Sequence, residues 1–347
     1  MAAIPQPHNA TVDAIPRWRE RTTDTAHRAH LGASVIGHPC DRHLWLLWRW
    51  CESEQFDGRM LRLFDTGKRE ELRVITELRG VGCEVWEDDG GAQYRVSAVA
   101  DHFGGSLDGV VRGLLEAPRT PHVLEIKTHS AKRFADLLKK GVREAKPMHY
   151  AQMQVYMHLA ELERAVYFAV NKDTDAIYIE RVEHDKAEAE KLIARAERII
   201  RAAEPPLRLS DDPAWFECKF CRFHAQCHGT AAPEVNCRTC AHSTPDMDGT
   251  AGAWRCDRKS TALTDAQQRK GCESHLYIPV FLQRFAEPVD ADRDAVTYQT
   301  PDGKQFVNGP RPGFSSAEIR AASDKRFLVE PEVTALREQY PTAKVAA

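Results

Sequence analysis

The sequence predicts an α/β protein in which helices flank a central mixed β-sheet. Residues 59–79 have apolar side chains at helical spacing. Short runs rich in Val and aromatic residues then follow between residues 83 and 127, separated by Gly or Asp turns, as is typical of strands. Of the 347 residues, 42% are hydrophobic and 29% are charged, which is enough apolar surface for a sizeable core.

The elements follow one another in an order that suits a sheet covered by helices. Residues 41–51, dense in Leu and Trp, and residues 59–79 are predicted as the first two helices. Strands are predicted at residues 83–87, 93–98, 105–111, 122–127, 164–170 and 176–182. Later helices are predicted at residues 131–140, 147–162 and 185–203, with one more candidate at residues 316–322.

Composition divides the chain into four segments. Residues 1–37 are polar and proline-bearing and read as an amino-terminal arm, and residues 38–230 hold the predicted sheet and its helices. Residues 231–285 form a small cysteine-rich module, and residues 286–347 a tail with few periodic segments.

Charge and hydropathy exclude several classes of protein. The 48 Lys and Arg residues against 51 Asp and Glu residues give a net charge of −3, so any surface that binds nucleic acid must be local. No apolar run approaches the roughly 18 to 20 residues of a membrane-spanning helix. The first 20 residues lack the apolar stretch of a signal peptide, so we expect a cytoplasmic protein without membrane contact.

An acid and an acid-x-Lys pair lie on two neighbouring predicted strands. Asp108 follows Gly105 on one strand, and Glu125 and Lys127 lie two residues apart on the next. Alternate residues of a strand share a face, so Glu125 and Lys127 project together, while Leu124 and Ile126 pack on the other side. Converging carboxylates suit Mg²⁺ or Mn²⁺, and a lysine beside them can orient a water or stabilise charge on a phosphate oxygen. An isolated acid-x-Lys pair is more often a solvated strand face.

Two helices add polar residues to this set. Glu71 follows Gly67 in the second predicted helix and could supply a third oxygen ligand. Gln152 and Tyr156 lie at i and i+4 on one helical face, where they could hold a substrate or the lysine, although such a pair often only flanks a core.

The joint order Gly-x3-Glu, Gly-x2-Asp, Glu-x-Lys and Gln-x3-Tyr resembles the PD-(D/E)XK nuclease superfamily, in particular its RecB-like branch. The resemblance covers roughly residues 38–230 and implies a restriction-endonuclease-like fold. It implies Asp108 and Glu125 as metal ligands together with the Ile126 carbonyl, Lys127 as the catalytic lysine, and Gln152 and Tyr156 as the characteristic helix pair. Many relatives carry His where this chain has Glu71, which makes Glu71 a departure, although a carboxylate can bind the same metal.

The ten cysteines point to metal ligation, because the chain is long and no export signal accompanies them. The run Cys218-x2-Cys221-x5-Cys227 supplies three thiolates and lacks a fourth nearby ligand. Cys40 resembles the early cysteine of CRISPR-associated and helicase-linked RecB-like nucleases. By that resemblance, the four residues would hold a [4Fe-4S] cluster that clamps both ends of the nuclease domain.

The remaining clustered cysteines have the count and the opening knuckle of a structural zinc site: Cys237, Cys240, Cys256 and Cys272. A rival grouping joins Cys218 and Cys221 with Cys237 and Cys240 as a zinc ribbon, and spacing alone leaves both open. Cys51 and Cys83 are expected to be small buried hydrophobes.

The predicted function is that of a Mg²⁺- or Mn²⁺-dependent DNA nuclease, most simply an exonuclease on single strands or DNA ends. A local strip of basic residues suits a phosphate backbone, and consists of Lys127, Lys132, Arg133, Lys139, Lys140, Arg143 and Lys146. The alternatives are a nuclease-like fold that only binds DNA, and a subunit that needs a helicase or recombination partner, since the chain has no phosphate-binding Gly-x4-Gly-Lys loop. DNA repair, phage recombination and CRISPR adaptation are all compatible with this reading.

Overall fold

The structure of the chain is a computed structural model that describes residues 9–24 and 27–340. The helices are α1 (Ala10–Thr22), α2 (Asp41–Trp48), α3 (Gly58–Gly80), α4 (Ala131–Ala145), α5 (Pro147–Leu159), α6 (Lys186–Arg201), α7 (Phe216–Lys219), α8 (His224–Cys227), α9 (Asp265–Lys270), α10 (Ser316–Ala321) and α11 (Pro331–Gln339). The strands are β1 (Leu31–Gly32), β2 (Glu84–Trp86), β3 (Asp88–Asp89), β4 (Ala92–Gln93), β5 (Arg95–Ala98), β6 (Phe103–Ser106), β7 (Gly109–Arg112), β8 (His122–His129), β9 (Arg164–Asn171), β10 (Ile177–Glu183), β11 (Ser243–Pro245), β12 (Trp254–Cys256), β13 (Thr261–Leu263), β14 (Glu287–Ala291), β15 (Val296–Gln299) and β16 (Gln305–Asn308).

The chain divides into two compact units. Of the described residues, the first comprises 9–24, 27, 54–96 and 105–190, and the second comprises 28–53, 97–104 and 191–340. The first unit contains a five-stranded sheet in the order β10-β9-β8-β7-β2, in which β8 and β9 are parallel and the other neighbours are antiparallel. The mixed sheet that the sequence predicted is therefore confirmed.

The core of the first unit lies between α3 and the sheet. Leu124 and Ile126 of β8 belong to it, which confirms that the residues alternating with Glu125 and Lys127 pack on the apolar side. The other members are Val74, Ile75, Leu78, Cys83, Val85, Val111, Leu114, Val166, Phe168 and Val170. Cys83 lies in this core and Cys51 is fully buried in the second unit, as expected for both.

Helix α5 is buried on most of its circumference. Pro147 occupies its first turn, where a missing backbone N–H costs nothing. Seven consecutive residues, 151–157, are buried, and the two glutamines among them are both hydrogen-bonded. Gln154 accepts from the backbone of Asp185 at 2.7 Å and donates to the carbonyl of Glu183 at 2.9 Å. Hydrogen bonds from Gln152 and Gln154 therefore satisfy the buried polar groups of α5 and restrict the positions of both side chains.

Three expectations about the first half of the chain differ from the structure. The single strand predicted at residues 105–111 is divided into β6 and β7, which belong to different sheets, and Asp108 lies in the turn between them. The strand predicted at residues 93–98 begins at Arg95 and pairs in a separate sheet of order β1-β6-β5, outside the five-stranded sheet. The segment predicted as an arm contains helix α1, whose start is capped by Asn9 and whose Pro16 lies against Gly58 of α3. The parts of the predicted arm at residues 1–8 and 25–26 lie outside the described residues.

The second unit has an aromatic core around a buried arginine. Arg238, in the loop between Cys237 and Cys240, is fully buried and its guanidinium lies over the rings of Trp50, Trp48 and Trp254 at 3.7, 4.5 and 4.7 Å. Its N–H groups donate to the carbonyls of Trp48 and Ala29. The cysteine-rich module, residues 231–285, thus shares packed aromatic residues with the preceding part of the second unit.

Residues 286–340 fold, where the sequence indicated a tail with one helix. Strands β14, β15 and β16 form an antiparallel sheet. Helix α10 confirms the predicted helix at residues 316–322 to within a residue. The sheet and helices share a core with earlier residues, made of Ala232, Tyr277, Leu282, Ala286, Val296, Tyr298, Phe306, Phe314, Ile319, Ala322 and Leu328. The end of the predicted tail, residues 341–347, lies outside the described residues.

None of the helices in the described residues is long and apolar enough to cross a membrane.

Candidate functional site

Strand β8 carries the acid and the lysine of the candidate site. Its side chains alternate, so Glu125 and Lys127 lie on the face opposite Leu124 and Ile126. Glu125 is fully buried, and burial raises the pKa of its carboxyl well above the usual range. A buried carboxylate needs a cationic partner to remain ionised, and Lys127 provides one, with its Nζ 2.5 Å from Glu125 Oε1.

Asp108 lies in the turn that precedes β7, beside the same strand. Its Oδ2 accepts a hydrogen bond from the backbone N–H of Ile126 at 2.8 Å. This bond ties the aspartate to β8 at the residue between Glu125 and Lys127. The two carboxylates predicted to converge are therefore brought together, and each adds to the negative potential at the other, as the contribution of Asp108 to the raised pKa of Glu125 shows.

The ammonium of Lys127 lies among three oxygens. It donates to the backbone carbonyl of Ile126 at 3.0 Å, contacts Glu125 Oε1, and lies 3.6 Å from Asp108 Oδ2. Burial alone lowers the pKa of Lys127, but the charges of Glu125 and Asp108 outweigh it and raise that pKa above its usual value. The three oxygens are the ones predicted to bind a metal, and they already hold one cationic group, so their chemistry fits Mg²⁺ or Mn²⁺.

Glu71 lies at the edge of this cluster. It is half-buried on α3, and its pKa is raised by burial and by the charge of Asp108, while Lys127 and Lys68 act in the opposite direction. These interactions place Glu71 within electrostatic range of the aspartate and the lysine. The structure thus brings Glu71, the further predicted oxygen ligand, into electrostatic range of the same cluster.

Helix α5 presents its predicted pair to β8. Gln152 Nε2 donates to Glu125 Oε2 at 3.1 Å, and Tyr156 shares a side-chain hydrogen bond with Gln152. The Tyr156 hydroxyl packs against Gly105, where an added Cβ would lie 2.3 Å from the oxygen. Gln152 therefore holds the carboxylate of Glu125, and Gly105 leaves the space that Tyr156 needs.

Three further polar residues continue this face, and the sequence analysis did not single them out. His129 follows Lys127 by two residues on β8, Tyr167 of β9 stands opposite Glu125 in the strand register, and His149 precedes Gln152 by three residues on α5. The hydroxyl of Tyr167 is 2.8 Å from His129 Nε2 and 2.8 Å from His149 Nδ1. Strand alternation and helical spacing were the signals that could have identified the two histidines.

Most of the predicted basic strip is exposed on α4 and the turn that follows it. The exposed members there are Lys132, Arg133, Lys139, Lys140 and Arg143, and Lys146 is half-buried. Two of these charges have local partners, since Lys140 pairs with Glu144 at 3.4 Å and Arg143 lies over the ring of Tyr150. The strip is thus a solvated helix face that leaves several cations accessible.

The first group of cysteines lies around one cavity in the second unit. Cys40, Cys218, Cys221 and Cys227 all line it, together with His43. Cys40 caps the start of α2 and its sulfur accepts from the backbone N–H of His43 at 3.4 Å, while His43 Nδ1 is 3.3 Å from the sulfur of Cys221. Burial raises the pKa of Cys221, and the charges of Cys40, Cys227 and Cys218 act in the same direction.

The second group is also close together. Burial raises the pKa of Cys237 to about 12, and negative charge on the sulfurs of Cys240, Cys272 and Cys256 acts in the same direction. Cys240 and Cys256 are buried, Cys237 is half-buried and Cys272 is exposed. The cysteines that interact with Cys221 are thus those of the first group, and the cysteines that interact with Cys237 are those of the second. The zinc-ribbon grouping would combine two cysteines from each of these tetrads.

Within residues 9–24 and 27–340, no set of three or more Cys, His, Asp or Glu side chains has the arrangement of a formed metal site. In the carboxylate cluster, the ammonium of Lys127 contacts an oxygen of Glu125 and lies near an oxygen of Asp108.

Around strand β8, the mixed sheet and α5 bring together an acid, an acid-x-Lys pair and a supporting glutamine. The family profile of the PD-(D/E)XK nuclease superfamily matches residues 13–228, more than half of the chain, and the chain belongs to this superfamily. Among solved structures, SSO0001 shares 16% sequence identity and a TM-score of 0.38 over 63% of this chain and 96% of that chain. An alkaline exonuclease from Laribacter hongkongensis, LHK-Exo, and its complex with dAMP each share 16% identity and a TM-score of 0.35, over 54% of this chain and 90% of theirs. No curated protein matches the chain significantly.

Proposed function

We propose that this chain is a Mg²⁺- or Mn²⁺-dependent DNA nuclease of the RecB-like branch, which acts as an exonuclease on single-stranded DNA or DNA ends. The observation that carries the proposal is the set of oxygens from Asp108, Glu125 and Ile126 around one cationic group. Such hard oxygen ligands suit these two ions. A lysine within reach of the same oxygens is what phosphodiester hydrolysis needs in order to stabilise developing negative charge.

Each side chain of the cluster has a distinct part in this reaction. Asp108, Glu125 and the Ile126 carbonyl would hold the ion, with Glu71 as a further oxygen ligand. When bound, the ion lowers the pKa of a coordinated water and neutralises charge on the phosphate. Lys127 orients the attacking water or stabilises the charge that develops on a phosphate oxygen. Gln152 keeps the carboxylate of Glu125 in place through its hydrogen bond.

The first test is degradation of end-labelled single- and double-stranded DNA with Mg²⁺, with Mn²⁺ and with EDTA. We expect metal-dependent cleavage by the wild type and its loss in Lys127→Ala and in Glu125→Ala. Lys304→Ala, an exposed lysine in the second unit, is the matched control and should keep full activity. The position of the label in the products shows the polarity of digestion.

Two results would contradict the assignment. Full cleavage by both Lys127→Ala and Glu125→Ala would remove the proposed site, and no cleavage by a folded wild type would favour a DNA-binding protein or a subunit that needs a helicase or recombination partner. Adding candidate partner proteins to the inactive wild type would separate these two alternatives.

We further propose that Cys40, Cys218, Cys221 and Cys227 hold a [4Fe-4S] cluster. Four thiols around one cavity match the ligand set of such a cluster. The backbone N–H of His43 already donates to the sulfur of Cys40, and N–H donors of this kind stabilise thiolates. The role would be architectural, because Cys40 lies near the start of residues 38–230 and the other three lie near the end, so that the cluster would join the two ends.

For the second tetrad we propose a structural Zn²⁺ ion held by Cys237, Cys240, Cys256 and Cys272. Their mutual proximity supports this, and the free energy of zinc binding would add to folding.

Metal analysis of anaerobically purified protein tests both groupings together. We expect Cys227→Ser to lose iron and acid-labile sulfide but keep zinc, and Cys272→Ser to lose zinc but keep iron. Cys83→Ser, in the core of the first unit, should lose neither. Loss of zinc from a Cys218→Ser variant with iron unchanged would instead support the zinc-ribbon grouping.

A further inference from the structure

A hydrogen-bonded group of three side chains adjoins the carboxylate and lysine cluster. The members are His129 on β8, Tyr167 on β9 and His149 on α5, and they are called here the His-Tyr-His network. One hydroxyl joins them, since Tyr167 Oη is 2.8 Å from a ring nitrogen of each histidine. Tyr167 and His129 are buried and His149 is half-buried. The network therefore connects three separate elements through a single atom.

The protonation states of the two histidines are compatible with both hydrogen bonds of the network. Burial and the nearby cations Lys146, Arg133 and Lys127 lower the pKa of His129 to about 4, and burial with the same cations and His129 lowers that of His149 to about 3. Both rings are therefore neutral at pH 7, and each has one donor and one acceptor nitrogen. The Tyr167 hydroxyl can then donate to one ring and accept from the other, so that both hydrogen bonds form with complementary donors and acceptors.

The network lies next to the elements that place the reacting groups. Tyr167 stands opposite Glu125 in the parallel register of β8 and β9. His129 follows Lys127 on the same face of β8, and His149 lies one turn before Gln152 on α5. Because His149 and Gln152 share a helical face, the bond that holds His149 to Tyr167 also fixes the distance from Gln152 to Glu125.

We propose that Tyr167, His129 and His149 are positioning residues for the nuclease reaction: the network holds α5 against β8, and so sets the places of Gln152 and Lys127 relative to Glu125. This inference rests on the proposed function and names a part of the site that the superfamily's sequence motif does not include. The carboxylates of Glu125 and Asp108 contact or lie near Lys127, and the tyrosine and both histidines of the network are within electrostatic range of the same ammonium.

The expected signature is a fall in kcat with little change in KM. Tyr167→Phe removes only the hydroxyl, and outer partners of catalytic groups typically contribute about 10- to 100-fold to activity. We expect a loss of kcat in this range. KM should change little, because DNA binding by the exposed basic residues of α4 is untouched. Tyr178→Phe is the matched control, since it removes a hydroxyl of β10 that donates to Glu180 of the same strand, and it should keep the wild-type kcat.

Two further variants distinguish positioning from a general loss of packing. His149→Asn retains a polar group that can bond to Tyr167 and should recover part of the activity that His149→Ala loses. In the double variant Tyr167→Phe, His149→Ala, the loss should be no larger than that of the more severe single variant, because the two residues act through one bond. Melting temperatures of all variants show whether each is folded at the assay temperature.

The decisive experiment measures kcat and KM on end-labelled DNA for the wild type, Lys127→Ala, Tyr167→Phe, Tyr178→Phe, His149→Ala, His149→Asn and the double variant. A lowered kcat at unchanged KM, with recovery by asparagine and a non-additive double variant, supports the network. An active wild type, an inactive Lys127→Ala and an unaltered Tyr167→Phe would overturn this inference alone. Additive losses in the double variant would also overturn it, whereas a wild type without activity would overturn the proposed function and the positioning role together.

Discussion

Gly105 lies where any side chain would meet the hydroxyl of Tyr156. A Cβ there would be 2.3 Å from that oxygen and 3.2 Å from two ring carbons, closer than van der Waals contact allows. We expect Gly105→Ala to displace Tyr156, and with it Gln152, and to lower nuclease activity. A forced shift of a packed core side chain costs about 1–3 kcal/mol of unfolding free energy. Chemical denaturation and the DNA cleavage assay measure the two effects.

Gly80 offers a matched control for this substitution. It is the last residue of α3, and an added Cβ there would meet no neighbouring atom within 4 Å. Alanine is favoured over glycine in a helix by up to about 1 kcal/mol, so Gly80→Ala should not lower stability and should leave activity unchanged. Equal effects of the two alanines would show that Tyr156 does not depend on the space at Gly105.

At the level of single residues, the polar pattern on β8 could be read from the sequence only in part. Glu125 and Lys127 form a recognisable acid-x-Lys pair, and alternation assigned both to one face, as the structure has them. His129 obeys the same alternation, but a lone histidine carries no motif. Its importance depends on Tyr167, which is 38 residues away and adjacent only because β8 and β9 are parallel. Such a pairing cannot be inferred from local spacing.

Among the elements, α5 combines two buried glutamines with different tasks. Gln152 supports Glu125, whereas Gln154 bonds to the backbone of residues 183 and 185. We expect Gln154→Leu to lower the free energy of unfolding by about 1–3 kcal/mol, because it removes two part-buried hydrogen bonds, each worth about 0.5–1.5 kcal/mol. The same change at Gln152 should lower activity at least about 10-fold with a smaller loss of stability, since Lys127 still pairs with Glu125.

This pair of variants is measured by urea unfolding and by the rate of DNA cleavage. The prediction is a crossed pattern, with stability lost in one variant and activity in the other. If both variants lost stability to the same degree and activity to the same degree, Gln152 would have no role beyond packing. Each variant therefore serves as the control for the other.

The sequence predicted that a sheet forms, but it did not predict which strands pair with one another. Five of the six predicted strands contribute residues to the five-stranded sheet, because valine-rich runs between turns mark buried strands. The exception is the strand at residues 95–98. It is short, with exposed and half-buried residues in alternation, and nothing local in it specifies pairing with β6 rather than with the main sheet.

Across the whole chain, the sequence was least informative after residue 231. Strands β15 and β16 are four residues long and lie among prolines and glycines, so their alternation is too brief to stand out. Their buried residues become a core only together with Ala232, Tyr277 and Leu282, which come from the preceding segment. Likewise the burial of Arg238 depends on tryptophans nearly 190 residues earlier. Long-range packing of this kind leaves no periodic trace.

A buried ion pair within this carboxyl-terminal region gives stability a predictable dependence on pH. Glu318 of α10 and Arg337 of α11 are 2.8 Å apart, with at most 8% of either side chain exposed. Burial alone raises the pKa of Glu318, but hydrogen bonds from Arg337 and Ser315 outweigh it and hold the pKa at about 2, against 4.5 ordinarily. Because the folded pKa is the lower one, the stabilisation is complete above about pH 4.5 and is lost as the pH falls towards 2, a difference of about 3 kcal/mol.

We therefore expect Glu318→Gln to destabilise residues 286–340 by about 3 kcal/mol at pH 7 and to weaken the dependence of their stability on pH below 4.5. Hydrogen exchange of this segment, together with thermal unfolding between pH 7 and about pH 3, measures both effects. Glu338→Gln, an exposed glutamate on the same helix as Arg337, should change stability by no more than about 0.5 kcal/mol. An acid-induced loss of protection that persists unchanged in Glu318→Gln would mean that other carboxylates control the acid stability of this region.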